Sequence, residues 1–263
     1  MTALTIWYQG MKGSIRPVVH FRQDRLWEVD ALRGVAIIIM AIYHLVWDLY
    51  GLGGWDIEMY TGFWHYWQLT TATMFIGLVG VSMHLRYQRM LARGRLSFWP
   101  FFQRGVVIFS WGMTLSLVTY IYYPAAYIRF GILHFIGVSI ILAYPFLRFR
   151  WLNLALGVGL LLLPEVVSWR HSIPWLEWLG MIDDPHPAFD YYPVIPWIGV
   201  VLIGVFLGRI FFPQGNRRFA LPDLSRFAPM RWLALAGQNS LLIYLIHQPI
   251  IITVLFLAGV ISL

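Results

Sequence analysis

Seven stretches of about 20 mostly apolar residues run along the chain, at 31–50, 64–86, 99–121, 130–148, 151–169, 193–212 and 234–258. That length as a helix crosses the hydrocarbon core of a bilayer, so the pattern predicts an all-α bundle of seven spanning helices. Pro249 falls inside the last stretch, where a split would make eight. A single kinked helix is preferred, because neighbouring helices re-satisfy the carbonyl that a proline frees.

The polar connections test this count. Lys12, Arg16, Arg22, Arg25 and Arg33 precede or open the first span. Arg86, Arg89, Arg93, Arg95 and Arg104 surround the second connection, Arg148 and Arg150 the fourth, and Arg209, Arg217, Arg218, Arg226 and Arg231 the sixth. Seventeen of the 19 Lys and Arg residues thus fall on one face, leaving Arg129 and Arg170 on the other with Asp56, Glu58, Glu177, Asp183, Asp184 and Asp190. This is the positive-inside distribution, and it predicts a cytoplasmic N-terminus and an external C-terminus. Residues 1–24 read as a cytoplasmic tail, without the apolar run of a signal peptide, and 25–263 as one transmembrane domain. The 170–192 loop, with Trp175 and Trp178, reads as an interfacial lid or an ordinary connection, and 226–236 as a short interfacial helix or another connection.

Composition agrees. Mean hydropathy is +0.67 and only 12% of residues are charged, against roughly 25% in soluble domains. The net charge of +7 does not point to nucleic acid, because the basic residues alternate with spans and form no single patch. There is no cysteine, hence no disulfide and no thiolate chemistry. The eight histidines lack the spacing of a helical zinc site, and no metal is expected. No phosphate-binding glycine loop follows a strand, which disfavours ATP-driven transport.

Ionisable groups inside a span are expensive and are functional candidates by default. The first span carries Asp30, Arg33, His44 and Asp48. Arg33 and His44 are eleven residues apart, so they share a helix face and lie about 16 Å apart along the axis. Asp48 lies one turn beyond His44 on that face and is placed to steer the imidazole as a general base needs. The plainer reading is that His44 and Asp48 bond each other at the outer interface. In the second span Thr70, Thr73, Gly77, Gly80 and His84 form a small-residue face suited to close helix packing. Arg129 and His134 open the fourth span, and Ser240, Tyr244 and His247 or Gln248 form one polar face of the last. Core packing and interhelical hydrogen bonding are the bland readings of these groups. His20, His171 and His186 read as tail or loop residues.

Arg33 followed by ten residues and His44 resembles the Arg-x10-His signature of the membrane-bound acyltransferase 3 family. Five segments, in order, resemble bacterial relatives of heparan-α-glucosaminide N-acetyltransferase: EVDALRGVAIIIMAIYHLVWDL, MFIGLVGVSMHLRYQR, IRFGILHFIGVSIIL, FDYYPVIPWIGVVLIGVFLG and LALAGQNSLLIYLIHQP. The resemblance implies a transmembrane acetyltransferase of a bacterial plasma membrane, taking acetyl-CoA from the cytoplasm and acetylating an amine or hydroxyl of a sugar-like or glycan acceptor outside. His44 matches the catalytic histidine of the Arg-x10-His pattern. In the lysosomal enzyme that residue instead follows the first span near a Trp, which makes His65, between Trp64 and Trp67, the second choice. Asp48 and His134 are the expected partners of the base. Arg33 and Arg104, with Asn239 and Ser240, are assigned to the donor, and Arg129, Asp190, Tyr244 and His247 to the acceptor. Small-residue faces leave room for a homodimer in the lipid. The alternative is a secondary transporter or flippase that uses the same His, Asp and Arg as a proton or substrate path.

Overall fold

A computed structural model describes residues 25–167, 174–181 and 189–261. Every predicted apolar stretch becomes helical, and among the described residues there is no strand. The helices are α1 Trp27–Gly51, α2 Gly62–Ala92, α3 Trp99–Tyr122, α4 Ile132–Leu142, α5 Trp151–Val166, α6 Val194–Phe211, α7 Ala228–Gln238 and α8 Ser240–Leu257. Five of them, α1, α2, α3, α6 and α8, are long and apolar enough to cross a membrane. The chain is an integral membrane protein. The N-terminal 24 residues and Arg170, with the acids at 183 and 184, lie outside the described residues, as do His20, His171 and His186.

Two predicted spans are shortened. The stretch at 130–148 is helical only over α4 and continues as a 3-10 turn, Tyr144–Arg148, with Pro145 in its first turn. The stretch at 151–169 ends at Val166. The last predicted span is divided, and not at its proline. Pro249 lies inside α8, whereas the chain turns at Asn239. Asn239 closes α7 with its backbone N–H and its side-chain amide, both bonded to the Leu235 carbonyl. The expected seven helices are therefore eight among the described residues, with α7 beginning at Ala228 and Pro229 in its first turn, where a missing N–H costs nothing.

The core forms where α2, α4 and α6 meet, around Ile76, Met83, Phe135, Ile136, Val201 and Val205. Helix α4 is apolar on all sides and is buried along most of its length, as such a helix must be. Helices α3 and α8 instead leave apolar side chains such as Leu117, Ile121, Ile250 and Val254 uncovered, a surface suited to lipid. The small-residue face of α2 packs on α6. A Cβ at Gly80 would lie 2.1 Å from the Val201 carbonyl oxygen, and one at Gly204 would lie 2.2 Å from that of Gly77. The α1–α7 crossing is as close, since a Cβ at Gly237 would lie 1.8 Å from the Asp30 carbonyl oxygen. That crossing brings the C-terminal helix pair onto the polar face of α1.

Candidate functional site

The polar stripe of α1 is covered, layer by layer, by α7 and α8. At its first layer the buried Asp30 carboxylate accepts from Arg25 (2.9 and 3.0 Å), Arg33 (3.0 Å) and the Gln238 amide of α7 (3.2 Å). Arg33 also donates to Ser82 of α2 and to the Gly237 carbonyl. Its guanidinium is thereby held in one place between three helices. Arg86, packed over the Phe101 ring at 5.4 Å, and Arg104 of α3 extend this group. Arg104 feels the positive charge of Arg86, Arg33 and Arg25, and among the described residues it has no hydrogen-bond or ion-pair partner. Arg25 and Arg33 thus hold the Asp30 carboxylate, and Arg86 and Arg104 add positive charge beside them. Such an excess suits a ligand with several phosphate charges. Arg86 was not singled out from the sequence.

Two turns before its C-terminal end, α1 presents His44. The ring Nδ1 lies 2.9 Å from the Met40 carbonyl oxygen. A carbonyl only accepts, so Nδ1 carries the proton and the neutral ring offers the Nε2 lone pair. The His44 ring meets that of His247 on α8, edge to face, with centroids 4.8 Å apart. Asp48 is completely buried, yet it is not hydrogen-bonded to His44. Both of its oxygens accept from the Gln248 amide, at 2.7 and 2.9 Å. The expected His44–Asp48 bond is replaced because a helix face shared at one-turn spacing sets proximity, while a side chain from α8 supplies the better donor. Gln248, noted in the sequence only as an alternative to His247, is thus a site residue in its own right.

A second polar group surrounds the start of α4. Asp190 accepts from the Ile132 backbone N–H at 2.8 Å and from the Tyr244 hydroxyl at 3.5 Å. The first N–H groups of a helix have no partner within it, so Asp190 caps α4 while touching α8. Burial pushes its carboxyl up to about 6, and the two hydrogen bonds oppose that rise. His134 accepts the Gly131 N–H at its Nδ1 (3.1 Å), leaving Nε2–H to face the Ser116 hydroxyl at 3.3 Å. Ser116 in turn donates to the Ile128 carbonyl. Both imidazole nitrogens are spent within the fold, and the ring is sandwiched by Phe109 and Phe130. Nothing pairs His134 with His44.

The remaining expected residues lie apart. His65 is exposed on α2, edge-on to Tyr66. Arg129 pairs with Glu177 at 3.4 Å and rides over the Tyr127 ring. Asn239 is exposed and committed to the α7–α8 turn, and Ser240 opens α8 beside it. Among the described residues no group of three or more His, Asp or Glu converges as a metal site would.

Residues 25–249 match the family model of the heparan-alpha-glucosaminide N-acetyltransferase catalytic domain. The chain belongs to this family. The match starts at Arg25, ends at Pro249, and so takes in the α1 stripe together with its α7–α8 cover. Membership makes the chain a transferase-type membrane enzyme of the heparan-alpha-glucosaminide N-acetyltransferase family, and the transporter alternative is not favoured. Comparison with curated proteins and with solved structures gave no match.

Proposed function

We propose that the protein transfers an acetyl group from cytoplasmic acetyl-CoA to an amine or hydroxyl of a sugar-like acceptor on the outer side of the membrane, with His44 as general base. The observation that carries this reading is the tautomer of His44. The Met40 carbonyl holds the proton on Nδ1, so Nε2 is free to take one from an attacking group. The arginine group begins about 16 Å away along the same helix face, a span suited to a donor whose phosphates stay at one end while its thioester arm reaches the other.

In this reading Arg33 and Arg104, joined by Arg25 and Arg86, hold the phosphates of acetyl-CoA. The acceptor X–H attacks the thioester carbonyl as His44 Nε2 removes its proton. The C–X bond forms, the C–S bond breaks, and the thiolate leaves as thiol with the proton from His44. Asp190 and Tyr244, at the far end of the bundle, contact the acceptor, with Arg129 at the rim.

Purified protein supplied with radiolabelled acetyl-CoA and a panel of amino sugars tests this. Thiol release and labelled acceptor are expected for the wild type. Replacing His44 by Ala should lower turnover by about 10²–10⁴-fold, the range for loss of a general base, while His65→Ala stays active. A fully active His44→Ala protein contradicts the assignment. Label retained on the protein without acceptor would require an acetyl-histidine route.

A further inference from the structure

Helix α7 runs only from Ala228 to Gln238, too short to cross a bilayer, which takes about 20 residues. Its two faces differ. Ala234 and Gly237 are buried and Leu233 is half-buried. This face lies on α1, where a Cβ at Gly34 would meet the Leu233 carbonyl oxygen at 2.0 Å. Arg231 and Trp232 fall on the opposite face and are exposed, Trp232 at 68%. Phe227, one turn before Arg231, shares that face and is 56% exposed. The connection leading into the helix continues the pattern, with exposed Arg218 beside exposed Phe219 and exposed Arg226 beside Phe227. Each of these cations has an uncovered aromatic ring as its chain neighbour.

None of the three guanidiniums is held in an ion pair. Among the described residues the side chains of Arg218, Arg226 and Arg231 have no hydrogen-bond or ion-pair partner, unlike Arg217, which grips Glu28 at 2.8 and 2.9 Å. The acid of this connection, Asp223, feels Arg226 and Arg217 but accepts from the Ser225 N–H. Uncovered rings alternating with free cations suit a bilayer boundary, with rings at the edge of the acyl chains and guanidiniums among headgroup phosphates. A soluble anion would leave the rings uncovered. We propose that this connection and the outer face of α7 form a binding surface for anionic lipid. Arg218, Arg226 and Arg231 hold headgroup phosphates, and Phe219, Phe227 and Trp232 enter the acyl boundary. The contact reaches the interior through the end of α7, because the Gly237 carbonyl accepts from Arg33 and the Gln238 amide donates to Asp30. Lipid that fixes the outer face of α7 steadies those groups with it. The surface is independent of the chemistry at His44.

The test follows the melting temperature of full-length protein in neutral detergent, titrated with phosphatidylglycerol, phosphatidylcholine or inorganic phosphate. Phosphatidylglycerol should raise it by at least about 2 °C more than phosphatidylcholine does, and added salt should shrink the difference. The triple variant Arg218→Gln, Arg226→Gln, Arg231→Gln should lose the difference. Arg104→Gln should keep it, which separates this surface from the arginine group around Asp30. His44→Ala should respond as the wild type does, so the outcome is distinct from the assignment of the base. Equal stabilisation by the two lipids, an equal effect of inorganic phosphate, or a full response in the triple variant overturns the proposal. Loss of the response in Arg104→Gln alone would assign the lipid to the other arginine group and overturn it too. If the triple variant fails to fold, Arg231→Gln by itself should show a smaller difference, and an undiminished one counts against the proposal equally.

Discussion

Asp190 ties three elements together through one carboxyl group, bonding the start of α4 and the Tyr244 hydroxyl of α8 from the segment before α6. Burial raises its pKa from 3.8 to about 6, so the folded protein binds a proton there more tightly than the unfolded chain does. The sign follows from linkage. The contribution to stability is complete below about pH 4 and is lost as pH rises through about 6. In detergent, the wild-type melting temperature should therefore carry a component that falls between pH 4 and 6, and Asp190→Asn should remove it. An unchanged pH slope in Asp190→Asn would show that the carboxyl is solvated. Residue type alone did not reveal this group, since Asp190 reads equally as a loop acid. His134 is the converse. A histidine on an apolar helix is a chemical candidate by sequence, but the Gly131 N–H and the Ser116 hydroxyl consume both nitrogens, and backbone donors leave no mark in residue identity.

At the scale of elements, the α2–α6 contact depends on backbones that touch. A side chain at Gly80 would enter the Val201 carbonyl, which cannot yield as a flexible side chain can. Gly80→Leu should destabilise the bundle by about 1–3 kcal/mol or more, the usual cost of overpacking, seen as a lower melting temperature or loss of monodisperse protein. Unchanged melting would contradict the packing. This face was legible because glycines at helical spacing have one common structural use. The end of the chain was less so. Pro249 is the obvious breaker in the sequence, yet it sits within α8 because its helix needs only to tolerate one missing hydrogen bond. The break falls at Asn239, where Gly237 is pressed onto Asp30 and the chain must turn from crossing α1 to running beside it. Such a turn is a tertiary demand, and local propensity does not encode it. The same geometry decides the chemistry of α1. Helical spacing placed Arg33, His44 and Asp48 on one face, whereas the partners Gln238, His247 and Gln248 come from some 200 residues away.

At the scale of the molecule, charge and apolar length together predict an orientation. The absence of native cysteine makes the orientation directly measurable. Single cysteines at Arg95 and Asp56 lie on connections at opposite ends of α2. In intact cells a membrane-impermeant thiol reagent should label Asp56→Cys and spare Arg95→Cys, and labelling of both, or the reverse, would contradict the positive-inside reading. With that orientation the arginine group faces the cytoplasm and His44 lies towards the outside. Inverted membrane vesicles then provide the most direct measurement of vectorial transfer. Radiolabelled acetyl-CoA is added outside, at the former cytoplasmic face, and an amino sugar is sealed within. Wild-type vesicles should give thiol outside and labelled acetyl-sugar inside, and vesicles carrying His44→Ala should give neither. Acetyl-CoA left intact by the wild type, or equal transfer by His44→Ala, would contradict vectorial transfer with His44 as base.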